Sequence, residues 1–167
     1  MIIGISGTIA SGKGAVSKYL AEKYYFKILS GHMFLEAIAR KGHIRPSRQA
    51  YRKLQAELRK KYGKDYLIKN AGEKIKIEGW KNVVWEGLRK FNEFKYAKNK
   101  LKAIVIFVDA PPEIRFKRQK RRHRRSYDKT YKAFLKTDGE EKRMFQLDKI
   151  KNHSDFIIFN SGSIKET

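Results

Sequence analysis

Residues 2–16, IIGISGTIASGKGAV, decide how this chain is read. The apolar run Ile2 to Ser6 stops at Gly7, and a helical pattern starts near Lys13 with Val16, Tyr19 and Leu20 expected on one face. Between strand and helix, Gly7 to Lys13 fits G-x-x-x-x-G-K. Glycines let the backbone curl so that successive N–H groups face one point, and the helix N-terminus adds its partial positive charge there. Such a loop receives phosphate oxygens. Lys13 is placed to reach the β- and γ-phosphates of a nucleotide. The competing reading is a glycine turn with an exposed lysine, and the flanking strand and helix speak against it. The residue after Lys13 is Gly14, then Ala15, where the general motif puts a Ser or Thr for magnesium, so the metal must be held in another way.

Working outward, Phe26 to Leu29 reads as a second strand, Asn82 to Trp85 as a third, Leu101 to Val108 as a fourth and Phe156 to Phe159 as a fifth. Helices are expected over Met33 to Arg40, ended by Gly42, and over Ser47 to Lys61, after Pro46 and closed by Gly63. Further helices follow over Asp65 to Ile77, interrupted by Gly72, near Lys90 to Lys100, from Pro112, and over Lys129 to Leu135 with Asp128 as its cap. Apolar runs alternating with helices indicate a mainly parallel sheet covered on both faces, because parallel strands need crossover connections. The expected fold is therefore a three-layer α/β domain spanning 1–167.

The chain has 167 residues, 41% of them hydrophobic, enough for one core but not for two full domains. With no cysteine, disulfides, thiolate metal sites and cysteine nucleophiles are excluded. His32, His43, His123 and His153 are scattered without zinc spacing. Apolar stretches such as Ala103 to Val108 are too short to cross a bilayer, and MIIGIS has no basic segment before its apolar residues. A soluble, cytoplasmic protein without a membrane partner is expected. Forty Lys and Arg against 17 Asp and Glu leave a net charge of +23, which draws polyanions. Many of these lysines fall on helix faces, as in RKLQAELRKKYGK, where solvated charge is ordinary, and no RNA-binding motif accompanies them. Nucleic acid is thus a partner the charge permits but does not favour.

The loop resembles those of adenylate kinases and related nucleoside monophosphate kinases, which commonly read G-x-G-K-G-T and position magnesium largely through waters; here Ala15 replaces the Thr. Ile28-Leu-Ser-Gly-His-Met33 resembles their segment opening the acceptor region, with His32 where Asp is usual. Val83-Val-Trp-Glu-Gly-Leu-Arg89 resembles their third strand, with Glu86 for the usual aspartate and Arg89 at the acceptor-phosphate arginine. Val108 to Arg122 resembles the strand and helix leading into their lid. The stretch Arg48 to Leu67 looks closer to deoxynucleoside monophosphate kinases and to kinases grouped with dephospho-CoA kinases. This resemblance implies a P-loop kinase domain with an acceptor-binding helical region at 31–80 and a basic lid at 122–140. It implies ATP and Mg2+ as cofactors and transfer of the γ-phosphate to a nucleoside or deoxynucleoside monophosphate.

Candidate residues follow from the loop and that resemblance together. Gly7, Thr8, Ile9, Ala10, Ser11, Gly12, Lys13, Gly14 and Ala15 would bind ATP, and Lys13, Arg89, Arg118 and Arg122 would act in catalysis. Phosphoryl transfer spreads negative charge over equatorial oxygens, which positioned cations stabilise. Arg118 and Arg122 lie four apart and share a helix face, which suits two guanidinium groups converging on one phosphate chain. Arg124 or Arg125 would join them or remain solvated. Ser30, Gly31, His32, Arg48 and Arg89 would bind the acceptor, with Arg59 a further candidate; for Arg48 and Arg59 a solvated charge on a polar helix face is the equal alternative. Glu86 would hold a magnesium-bound water or cap a helix.

A monophosphate acceptor is ionised near neutral pH and needs no general base, whereas a hydroxyl acceptor usually does. Dephospho-CoA kinases typically carry an aspartate after the second strand, where this chain reads Leu29-Ser-Gly-His32, which tilts the reading toward a monophosphate. The alternatives are phosphorylation of a ribose hydroxyl with His32 as base, and a basic ATP-binding module acting on RNA or a ribonucleoprotein.

Overall fold

A computed structural model describes residues 1–121 and 128–162. Among them the chain runs β1 (Ile2–Gly7), α1 (Lys13–Tyr24), β2 (Lys27–Ser30), α2 (Gly31–Lys41), α3 (Arg48–Tyr62), α4 (Tyr66–Ile77) and β3 (Val83–Glu86). It continues with α5 (Phe91–Asn99), β4 (Ile104–Asp109), α6 (Pro112–Arg121), α7 (Tyr131–Phe145), α8 (Leu147–His153) and β5 (Phe156–Phe159). The strands form one sheet in the order β2-β3-β1-β4-β5, every pairing parallel. β1 is central, and Val83, Val84, Val105 and Val108, on the strands either side of it, are wholly buried, as the apolar runs of a sheet covered on both faces require.

Two apolar clusters sandwich the sheet. Val16 and Leu20 of α1 pack with Ile3, Ile5, Val84 and Val108 on one face. On the other, Ile68, Ala71 and Ile75 of α4, Phe94 and Ala97 of α5, and Leu147 and Ile150 of α8 pack with Val83, Trp85, Val105 and Phe107. A satellite cluster of Leu35, Ala39, Leu54 and Leu67 ties α2, α3 and α4 together. Ser30, Ser47 and Thr130 accept hydrogen bonds from the backbone N–H three residues on, at Met33, Ala50 and Ala133, and so set the starts of α2, α3 and α7.

Several local expectations change. Thr130, not Asp128, caps α7, which runs on to Phe145 rather than Leu135. Asp128 instead accepts from Gln119 Nε2 at 3.2 Å and Thr137 Oγ1 at 2.9 Å, since tertiary donors satisfy its carboxylate better than one turn of its own helix. Tyr19 lies 49% exposed, off the buried face of Val16 and Leu20. The fourth strand begins at Ile104, because Lys102 takes a positive φ of 52° that breaks the extended run from Leu101. Gly72 does not interrupt α4: a Cβ there would sit 2.8 Å from Leu101 Cδ2, so the glycine admits that leucine to the core. The short helix α8 has no counterpart in the sequence reading. No described helix is long and apolar enough to cross a membrane.

Candidate functional site

All five strands end their C-terminal edges on the same side, where ligands collect in open α/β sheets. The Gly7 to Gly12 loop leaves β1 at the middle of that edge and enters α1. Gly7 has φ 142°, and a Cβ there would lie 2.0 Å from Val108 O on the neighbouring strand, so only glycine lets β1 turn beside β4. Gly12 has φ 103°, and its Cβ would lie 2.2 Å from Asn160 Nδ2. Between them Ala10 holds φ 57°, the left-handed region that a side chain resists.

Lys13 bends back over this loop. Its Nζ donates to Gly7 O at 2.9 Å and to Thr8 O at 2.6 Å. Burial pulls its pKa down to about 7, with the nearby Arg89 charge adding to the effect and Glu141 and Glu86 opposing it. The lysine thus reaches inward to the loop, in an environment that would welcome a polyphosphate to neutralise its charge. Thr8 Oγ1 donates to Asp109 at the end of β4, at 2.9 Å. Burial works against ionisation of Asp109, yet hydrogen bonds from Lys151, Thr8 and the Ala110 N–H hold its carboxyl below the usual range.

Glu86 stands at the tip of β3, opposite Ile5 of β1 and Ser30 of β2 in register. Its Oε1 lies 3.5 Å from where a Cβ of Gly14 would be, so the carboxylate faces the place that a loop Ser or Thr would occupy. That fits a water-mediated magnesium position, and it caps no helix, since α5 starts after Lys90. Among the described residues no three His, Asp or Glu side chains cluster as a metal cage. Arg89 is exposed just past the β3 turn, where the N–H groups of Gly87 and Leu88 both donate to Ile5 O.

Ser30 and Gly31 sit at the end of β2, with the Ser30 hydroxyl capping α2. His32 is exposed in the first turn of α2, its ring edge-on to Tyr51 of α3 at 4.9 Å. Arg48 opens α3, and its side chain lies outside what the structure describes, as do Arg122, Arg124 and Arg125. Of the expected lid, 122–127 likewise lies outside the described residues, and from Tyr131 the chain is α7. Arg59 is no solvated charge. It donates to Glu93 of α5 at 2.7 Å with both side chains largely buried, and burial raises the Glu93 pKa despite that partner.

Arg118 is placed behind the loop. It donates to Ser11 O at 3.3 Å, to Asn160 O at 3.0 Å, to Asn160 Oδ1 at 2.9 Å and to Gly162 O at 2.9 Å. Asn160, just past β5, donates to Ser11 O at 3.0 Å. Asn160, Asp109 and Arg115 were not singled out by sequence reasoning. The only local signals were their positions at strand ends and one helical turn before Arg118.

A parallel 2-3-1-4-5 sheet with a glycine loop and lysine at the end of its central strand defines a P-loop NTPase of the kinase-like type. Residues 3–146 match the AAA domain family, and the chain belongs to it. It is 30% identical over 166 residues to a UPF0200 protein of Staphylothermus marinus, covering 99% of this chain and 86% of that one. Among solved structures it is similar to TT1252 from Thermus thermophilus, with TM-score 0.62 and 20% identity over 99% of this chain and 91% of that one. It is also similar to shikimate kinase from Acinetobacter baumannii in complex with shikimate, with TM-score 0.60 and 16% identity over 99% and 87% of the two chains.

Proposed function

We propose that this protein is an ATP-dependent nucleotide kinase that moves the γ-phosphate of ATP to a nucleoside or deoxynucleoside monophosphate. The observation that carries the reading is Lys13 Nζ, held 2.9 Å and 2.6 Å from two carbonyls of its own glycine loop and buried enough to lower its pKa. A cation kept at such cost of desolvation is one that a polyphosphate would relieve. In this reading the Gly7 to Ala15 amides cradle the ATP phosphates, and Lys13 steadies the oxygens of the transferred group. Arg89, beside the mouth of the loop, would orient the acceptor phosphate with Ser30, Gly31, His32 and Arg48 lining its approach.

An acceptor phosphate oxygen attacks the γ-phosphorus while the bond to the β-bridging oxygen breaks, and ADP leaves with that oxygen. Magnesium, when bound, would neutralise charge shared by the two terminal phosphates, and Glu86 would hold its water in the space that Gly14 leaves open. Arg122 remains the proposed arginine of the transfer step, whereas Arg118, donating to Ser11 O, Asn160 and Gly162 O behind the loop, steadies the loop instead.

A screen for ADP release with ATP and magnesium tests the reading against the common nucleoside monophosphates and dephospho-CoA, with Lys13→Ala as control. Release that responds to a monophosphate and vanishes in Lys13→Ala supports it. Release that responds only to dephospho-CoA moves the acceptor to a ribose hydroxyl. A parent protein indifferent to every acceptor ends it.

A further inference from the structure

The carbonyls on either side of Ala10 are both taken by arginines of α6. Arg115 Nη1 donates to Ile9 O at 3.3 Å, and Arg118 Nη1 donates to Ser11 O at 3.3 Å. Three residues apart, the two side chains leave the same helix face toward the loop. Arg115 is the more constrained of the pair, only 1% exposed. Its Nε donates to Ala110 O at 2.8 Å, its Nη2 donates to Asp138 Oδ2 of α7 at 2.8 Å, and Nη1 completes a fork on the same carboxylate. Lys142 adds a second cation to Asp138 at 3.1 Å, and the guanidinium lies over the Phe134 ring, 5.4 Å from its centre.

Such a construction is more than burial of a charge requires. The carboxylate of Asp138 neutralises and aims the guanidinium, and the guanidinium spends one N–H on the peptide that precedes a strained residue. Ala10 has φ 57°, a conformation in which a non-glycine residue persists only where its surroundings impose it. A carbonyl turned back into Arg115 leaves the N–H of the same peptide, that of Ala10, directed the opposite way, because the peptide unit is planar and its two polar groups point apart. In the reading of the loop as a phosphate site, that is the side on which the phosphates would sit.

We infer that Arg115 is a positioning residue for ATP binding: anchored by Asp138, it fixes the Ile9–Ala10 peptide so that the loop is shaped for phosphate before ATP arrives. This rests on the loop being the ATP site, as proposed above. Arg115 touches no substrate. Its effect is on pre-organisation, which a ligand that must order the loop itself would feel as lost affinity.

The strain supplies the test, because glycine adopts the conformation of residue 10 without resistance. Calorimetric titration with ATP compares the parent and Arg115→Lys, and the same substitution in an Ala10→Gly background. Lysine keeps the charge but cannot serve Asp138, Ala110 and Ile9 together. The expected result is about a tenfold loss of ATP affinity when Arg115→Lys is made beside Ala10, in line with loss of a charge-assisted hydrogen bond. In the Ala10→Gly background the loss shrinks to about twofold, since the peptide no longer needs holding. Thermal unfolding is read in parallel, and should Arg115→Lys fail to fold, Asp138→Asn carries the same pair of comparisons. A melting temperature that falls while ATP affinity stays put, or an affinity loss equal in both backgrounds, overturns the inference and leaves Arg115 as part of the core. If the parent itself does not bind ATP, the nucleotide reading of the loop falls first and this inference with it.

Discussion

The phosphate loop and the helical region at 31–80 are built on opposite plans. In the loop, backbone does the work: Gly7 and Gly12 sit where a Cβ would meet Val108 O and Asn160 Nδ2, and the carbonyls of Ile9 and Ser11 are gripped from behind by Arg115, Arg118 and Asn160. In α2 and α3, side chains do it: a satellite cluster of Leu35, Ala39, Leu54 and Leu67 carries two helices whose other faces are charged and open. The first region is over-determined by neighbours far apart in sequence; in the second, α2 and α3 are held by that cluster and by the Arg59–Glu93 pair, while α4 packs into the main core. A site for an invariant group such as phosphate can be made of amides. A site that distinguishes larger and more varied ligands has to be made of side chains on elements able to adjust.

The largest expected break in that contrast comes from Lys13→Ala. Losing the cation should lower kcat/KM for phosphoryl transfer about a thousandfold, in the range seen when a single charge-stabilising group is removed. Below pH 7, where Lys13 is charged, the melting temperature should change little, because relief of a desolvated ammonium offsets the lost hydrogen bonds to Gly7 O and Thr8 O. Next comes Gly7→Ala, which forces a methyl group into the β4 backbone at a positive φ and should cost about 3 kcal/mol in thermal or denaturant unfolding. Its counterpart in the helical region is Leu54→Ala. Truncating this buried side chain should cost about 2 kcal/mol of stability and raise KM for the acceptor, while ATP affinity stays close to the parent value. Should ATP affinity fall as much as acceptor affinity, the two regions are not energetically separate.

The smallest effect concerns protons. Burial, outweighing its acidic neighbours, pulls the Lys13 pKa down to about 7, so the amine is largely neutral well above pH 7. A bound polyphosphate favours the ammonium and raises that pKa, so ATP binding above pH 7 should take up to about one proton per site, fading as pH falls below 7. Calorimetric titrations in buffers of different ionisation enthalpy read this directly. The same sign holds for folding: a lysine depressed in the folded state disfavours it while protonated, a penalty lifted as pH rises from 7 toward the normal lysine range.

The order of strands and helices was open to inspection because each signal is local. The apolar run stopped by Gly7, the helix ended by Gly42, the helix set off by Pro46 and the G-x-x-x-x-G-K spacing depend on neighbours in the chain. Where a local rule failed, a long-range partner had overruled it. Asp128 gave up a helix cap for Gln119 and Thr137, and Gly72 stayed helical because Leu101 needed its space. Arg59 left the polar face for Glu93.

By itself, the sequence determined that a phosphate-shaped loop sits between a strand and a helix, since backbone conformation there follows from glycines and their spacing. Only the tertiary structure decided what stands behind that loop and beside it. Arg115 reaches Asp138 because α6 packs against α7, while Arg118 reaches Asn160 and Glu86 faces Gly14 because the parallel sheet brings strand ends distant in sequence to one edge. Pairings across such distances leave no periodic trace in the chain; they arise when burial makes each charge find the partner that the fold has carried to it.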